Sequence, residues 1–151
     1  MAGVVAMASK RVFCAGTFDG LHPGHLKFLQ YAKKFGSELW VVVARDESAL
    51  KVRGHAPLFG ESERLKLVRS LKIVDKAVLG STRNWFDSVK QADPEVIVLG
   101  HDQKIDLPKL EEFVEKEGLK ARRIVRAPQF DRSKYRSSRL RQETPGFEQK
   151  I

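Results

Sequence analysis

The sequence predicts an open, doubly wound α/β fold with about five parallel strands, and three observations predict it. Short apolar runs, most of them rich in valine, recur along the chain and end in glycine or polar turns. Between most of them lie segments of about ten residues with apolar side chains at helical spacing. A loop holding three glycines and two histidines follows the first run, where such folds place phosphate chemistry.

Taken in order, Arg11–Ala15 (RVFCA) is a short apolar run ending at Gly16 and reads as a buried strand. From Pro23 to Phe35 the residues Leu26, Phe28, Leu29, Ala32 and Phe35 recur at helical spacing, with Lys27, Lys33 and Lys34 outward and Gly36 as the stop. Glu38–Ala44 (ELWVVVA) is a continuous apolar run, as expected of a strand covered on both faces. Arg45–His55 reads as a loop. Glu61–Leu71 is a helix with Leu65, Leu67, Val68 and Leu71 inward, and Asp75–Leu79 a third strand. Asn84–Ala92 is a helix, Asp93-Pro94 a turn, and Glu95–Leu99 a fourth strand. Leu107–Glu117 is a helix closed by Gly118, and Ala121–Val125 is the fifth strand. Trp40 is expected in the core, and Trp85 and Phe86 against the core or a second copy of the chain.

Strands alternating with helices imply right-handed βαβ crossovers and a parallel sheet. Ligands of such sheets bind beyond the carboxyl ends of the strands. The loops after Ala15, Ala44, Leu79, Leu99 and Val125 are therefore the places to search. Residues 1–9 read as a disordered extension, with Met7 an alternative start, and 10–151 as a single domain.

Composition bounds the rest. With 42% hydrophobic and 31% charged residues the chain is that of an ordinary globular protein. No apolar run approaches the roughly 18 residues a membrane span needs. The lone cysteine, Cys14, excludes an intramolecular disulfide and fits a cytoplasmic setting. The net charge of +9 is uneven: Lys120–Arg141 holds nine Lys/Arg against one acid, Asp131. A local basic segment implies a local polyanion, either nucleic acid or a phosphate-rich small ligand.

The first loop carries the strongest signal. In Gly16-Thr-Phe-Asp-Gly-Leu-His-Pro-Gly-His25, Pro23 suits the first helical position. His22 then stands near the cap, His25 in the first turn, and Gly24 leaves room between them. Two imidazoles and the N–H groups of a helix start converge there, which makes an anion site. The same pair also suits a metal, though without a compelling third ligand, or an ordinary polar cap.

GTFDGLHPGH resembles the HxGH signature of the cytidylyltransferase-like nucleotidyltransferases. The resemblance implies that His22 and His25 stabilise a pentacoordinate α-phosphate. It implies that Thr17, Phe18, Pro23 and Gly24 line the nucleotide pocket. HxGH-like motifs also occur in class I aminoacyl-tRNA synthetases, for whose anticodon-binding parts this length leaves no room. In similar enzymes a lysine in the loop after the second strand closes over the phosphates, and Lys51 sits at the matching place. Glu61-Ser-Glu-Arg64 resembles the family's "ER" element, where Arg64 serves substrate or a structural ion pair. Asp102, in Leu99-Gly-His-Asp-Gln103, resembles the residue that binds the nucleotide's ribose or base; a helix cap is the alternative. Arg136, Ser137 and Ser138 resemble the element that cradles the β- and γ-phosphates. Phe130 is an aromatic placed to stack on a base or to pack.

GTFDGLHPGH, VVVARDE, VDKAVLGS and VIVLGHDQ together are most similar to the archaeal FAD synthases. That implies transfer of AMP from ATP to FMN, Mg²⁺ held mainly by the triphosphate with no protein metal ligands, and a cytoplasmic homodimer. The close rival is a cytidylyltransferase using CTP and glycerol 3-phosphate or a related monoester. A distant one is an RNA-binding module working through the basic C-terminal segment; neither nucleic acid nor membrane is the expected partner. The sequence lacks the C-terminal cysteines that archaeal FAD synthases often carry, so thiol-dependent behaviour is not expected.

Overall fold

The computed structural model describes residues 10–130; the extension 1–9 and the Arg136-Ser137-Ser138 element lie outside the described residues. The elements run β1 (Arg11–Gly16), α1 (Pro23–Lys33), β2 (Glu38–Val43), α2 (Asp46–Arg53), α3 (Glu61–Arg69), β3 (Lys76–Leu79), α4 (Trp85–Ala92), β4 (Val96–Leu99), α5 (Leu107–Lys116) and β5 (Arg123–Arg126). All strand pairs are parallel, in the order β3-β2-β1-β4-β5. The chain builds outward from β1 to one edge and then returns to build toward the other. The order therefore reverses between β1 and β4, and a crevice opens beyond their carboxyl ends at Gly16 and Leu99.

Side chains alternate across each strand and so split the core into two layers. Val12, Cys14, Leu39, Val41, Val43, Val96 and Val98 meet Leu29 and Ala32 of α1 and Val68 of α3. Phe13, Ala15, Trp40, Val42, Ile97 and Leu99 meet Val89 and Ala92 of α4 and Leu110 of α5. Burial on both faces is why these runs read as continuous apolar stretches rather than alternating ones. Trp85 and Phe86 belong to the second layer, where Trp85 lies edge-on to Phe13 at 5.4 Å. Trp40 is buried, with the Arg11 guanidinium 4.3 Å and the Lys76 ammonium 4.6 Å from its ring centre. Burial pushes the Cys14 thiol well up, which keeps it uncharged and unreactive. No helix among the described residues is long and apolar enough to cross a membrane.

One element corrects the sequence reading. The segment after β2, expected to be a loop, contains α2. Only Ala49 of this helix is buried, so it shows little apolar periodicity. Its stability comes from charge order and from its end. Asp46 and Glu47 occupy the first turn, Lys51 and Arg53 the last, and Gly54 closes the helix at φ 81°. The remaining boundaries agree to within two residues, β5 starting at Arg123 instead of Ala121.

Candidate active site

The loop from β1 to α1 is held from beneath. Phe18, a non-glycine residue at φ 53°, turns its ring into the first core layer under Gly16. What Phe18 offers a ligand is therefore its backbone. Asp19 is buried and accepts the backbone N–H groups of Leu58 (2.7 Å) and Phe59 (3.0 Å). Arg64 is also buried. Its guanidinium donates to the carbonyls of Thr17, Ala44 and Phe59, each at 2.8 Å, and to the Asp46 carboxylate at 2.7 Å. Of the two roles open to Arg64, the geometry realises the structural one.

His22 is the cap of α1, in extended backbone at φ −146°. Its Nδ1 accepts the Gly24 N–H at 3.1 Å, and His25 Nδ1 accepts the His22 N–H at 3.4 Å, a reciprocal capping box. The rings stack with centroids 3.8 Å apart. A nitrogen that accepts a hydrogen bond carries no proton, so each neutral ring carries its proton on Nε2. Here the structure revises a sequence expectation. The first N–H groups of α1 are consumed inside the cap: Pro23 has none, Gly24 serves His22 Nδ1, and His25 and Leu26 serve the His22 carbonyl. The capping bonds engage neither imidazole Nε2–H, so at this helix start it is the rings and not the backbone N–H groups that can meet an anion. A Cβ on Gly24 would stand 3.0 Å from the His22 ring and 3.2 Å from the Phe130 carbonyl, so glycine is what lets the ring fold over the cap.

Burial lowers the pKa of His22 and pushes that of His25 down to about 3; the neighbouring His22 and Arg53 lower His25 further while Asp19 opposes them. Both rings are therefore neutral donors at pH 7. The shift also sets a pH dependence of stability. A folded pKa below the unfolded value means that the unfolded chain binds more protons once pH falls below about 6.5. The stability is full above that point and is lost progressively as pH drops toward 3. Urea midpoints should thus fall between pH 7 and pH 5 by the equivalent of about 1–2 kcal/mol. In His25→Asn, which keeps a cap acceptor that does not titrate, this dependence should weaken; an unchanged pH profile in that variant would refute the assignment.

The remaining expected residues are placed as follows. Thr17 sits at the loop entrance with its carbonyl on Arg64. Lys51 lies on α2, its side chain 75% exposed, 3.4 Å from Glu47 one turn earlier. The α2 cation nearer the histidines is Arg53, which lies 3.8 Å from the Asp19 carboxylate and is felt electrostatically by His25. Asp102 stands on the turn after β4, with a side chain more than half exposed. The cap alternative for Asp102 is not realised, because Asp106 caps α5. The neighbouring His101 keeps Nε2 buried and without a hydrogen-bond partner among the described residues. The Phe130 ring packs on Tyr31 of α1 at 5.6 Å and against the first core layer.

Sequence reasoning overlooked Asp19, Arg53, Gln103 and Arg126. Asp19 lay in plain view inside GTFDG, and Gln103 directly after Asp102. Gln103 Nε2 donates to the Ala15 carbonyl at 3.0 Å while its Oε1 accepts the Gly100 N–H at 2.7 Å. Arg126 Nη1 donates to the carbonyls of Gly100 (2.9 Å) and Gln103 (2.8 Å).

Comparison with known proteins places the chain among relatives. Residues 13–143 match the cytidylyltransferase-like family. The chain is 48% identical over 130 residues to the FAD synthase of Methanocella arvoryzae, covering 86% of this chain and 91% of that one. It is 46% identical over 118 residues to the FAD synthase of Methanosarcina acetivorans, covering 78% and 76%. Among solved structures, the lipopolysaccharide core biosynthesis protein of Thermoplasma volcanium superposes with a TM-score of 0.76 at 42% identity, over 82% of this chain and 100% of that one.

Proposed function

The chain belongs to the cytidylyltransferase-like family, and we propose that it is an FAD synthase, joining the phosphate of FMN to the α-phosphate of ATP with release of pyrophosphate. The observation that carries the chemistry is the stacked pair His22–His25, two neutral Nε2–H donors fixed by their own capping bonds beside the β1–β4 crevice. The choice of acceptor is supported by the FAD synthases at 43–48% identity over most of this chain.

A phosphate monoester is largely a dianion near neutral pH, with a second pKa of about 6. FMN then needs no general base. One of its phosphate oxygens attacks the α-phosphorus of ATP, the new P–O bond forms, and the bond to the β-phosphate oxygen breaks with its electron pair leaving on pyrophosphate. The protein's contribution is to hold the reactants in line and to stabilise charge on the α-phosphoryl oxygens. His22 and His25 donate to those oxygens. Thr17, Phe18, Pro23 and Gly24 supply the floor through backbone and small side chains, and Asp102 meets the ribose or base. Lys51, by movement of its exposed side chain, and Arg53 are the α2 cations available to the phosphates. Arg136, Ser137 and Ser138 are assigned to the leaving pyrophosphate. Phe130 is a secondary contact at the helix start, its ring packed on Tyr31 of α1.

Mg²⁺ fits this arrangement as an ion that enters with the triphosphate and neutralises its charge. Two carboxylates packed around the histidine loop are committed elsewhere, Asp19 to two backbone N–H groups and Asp46 to Arg64. The lone buried thiol suits a cytoplasmic enzyme.

The deciding assay measures pyrophosphate release with Mg²⁺, crossing ATP and CTP against FMN and glycerol 3-phosphate, with products identified by mass. FAD from ATP and FMN is the expected product. A CDP-linked product in its place would transfer the same histidine chemistry to another acceptor and overturn the proposed activity.

A further inference from the structure

We propose that Gln103 is a positioning residue for the nucleotide, a brace that fixes the distance between the two sides of the cleft that AMP must span. This rests on the proposed FAD synthase reading, in which the α-phosphate meets His22 and His25 beyond β1 and the ribose or base meets Asp102 beyond β4. Those two contacts belong to strands that separate. The backbone register between β1 and β4 pairs Val12 with Val96 and Phe13 with Ile97, and toward the carboxyl ends the crevice opens. Across it the Ala15 carbonyl, immediately before the histidine loop, is taken by the Gln103 side chain at 3.0 Å.

The other end of the same amide closes the turn. Gln103 Oε1 accepts the Gly100 N–H at 2.7 Å, and its side chain folds back to 3.4–3.6 Å from where a Gly100 Cβ would stand. Arg126 at the end of β5 grips the same turn from outside through the carbonyls of Gly100 and Gln103. The backbone around His101 and Asp102 is thus tied to β1 on one side and to β5 on the other. A carboxamide suits this brace because it must donate at one atom and accept at the other. Glutamate of the same shape would set a carboxylate oxygen against the Ala15 carbonyl. Methionine would keep the length and lose both bonds.

The test follows ATP and FMN kinetics in Gln103→Glu, Gln103→Met, Asp102→Ala and the double variants, with thermal melts to identify the folded ones. A brace acting through Asp102 raises the KM for ATP about tenfold, the scale of a lost hydrogen bond with an unpaired group left behind, while the KM for FMN stays within about twofold. It also predicts non-additivity: with Asp102 already truncated, changing Gln103 adds little. An unchanged KM for ATP in a folded Gln103 variant overturns the proposal. So does an equal rise for both substrates, an inert Asp102→Ala, or effects that multiply in the double variants. If the wild-type chain makes no FAD, it is the activity reading that fails. The brace is then judged by ATP binding in calorimetry, where the same non-additivity sustains it and independent effects overturn it.

Discussion

Replacing His25 with alanine is expected to lower the turnover of FAD formation by about a hundredfold or more, with a smaller effect on the KM for ATP. The figure is the scale of removing one preorganised donor from a developing oxyanion. Negative charge on the α-phosphoryl oxygens is redistributed as the FMN phosphate enters and pyrophosphate leaves. A neutral N–H already aimed by its own cap costs no reorganisation at that moment. In the proposed mechanism the two nitrogens of His25 have separate tasks, Nδ1 in the cap and Nε2 at the phosphate, and two amide replacements separate them. Asparagine places an acceptor where Nδ1 stands and so keeps the bond from the His22 N–H, but it cannot reach where Nε2 reaches. Glutamine extends to the Nε2 position and offers an N–H there. His25→Asn should therefore be as inactive as His25→Ala while folding better, and His25→Gln should recover about a tenth of the lost activity or more. Steady-state kinetics of the three proteins decide the matter: wild-type turnover in His25→Ala would remove the histidines from the mechanism. Equal activity in the Asn and Gln variants would remove the division of labour between the two nitrogens.

How much of this was legible in the sequence depends on whether the signal was local. The strands were readable because burial on both faces removes polar residues from them, as in Glu38-Leu-Trp-Val-Val-Val. The cap at His22 was readable because Pro23 and the histidine spacing are contained within a few residues. What the sequence hid was which groups the helix start would leave for a ligand. His22 and His25 use their Nδ1 atoms to satisfy the cap, which occupies the backbone N–H groups that the spacing alone offers to an anion. Helix α2 was hidden because it buries only Ala49 and so leaves no periodic trace; reading it as a loop directed attention to Lys51, while Arg53, one residue before the αL glycine, lies nearer the histidines. Gln103 and Arg126 were invisible for a third reason. Their partners are backbone carbonyls and an N–H, which every sequence possesses and none advertises.

Arg64 shows the same limit with the largest consequence for stability. Alanine there should cost about 3 kcal/mol, because the side chain is fully buried and its removal strips hydrogen bonds from three carbonyls at once. The Asp46 carboxylate is half exposed and recovers water, which keeps the cost at the low end of what breaking a buried ion pair entails. For a domain of this size the corresponding fall in Tm is about 6–12 °C. Lysine cannot replace the fork, since one ammonium cannot reach Phe59, Thr17, Ala44 and Asp46 together, so Arg64→Lys should fall between alanine and wild type. Activity should drop as well, although no part of Arg64 needs to touch substrate. Thr17 begins the loop that ends in the two histidines, and its carbonyl is anchored by this guanidinium. Loosening it lets the loop depart from the geometry on which the Nε2 donors depend, and small misplacements at a reacting phosphate are costly. Thermal melts and kinetics of Arg64→Ala and Arg64→Lys test both halves of the claim. A variant that melts within about 2 °C of wild type would show that the buried guanidinium is not what fixes the loop.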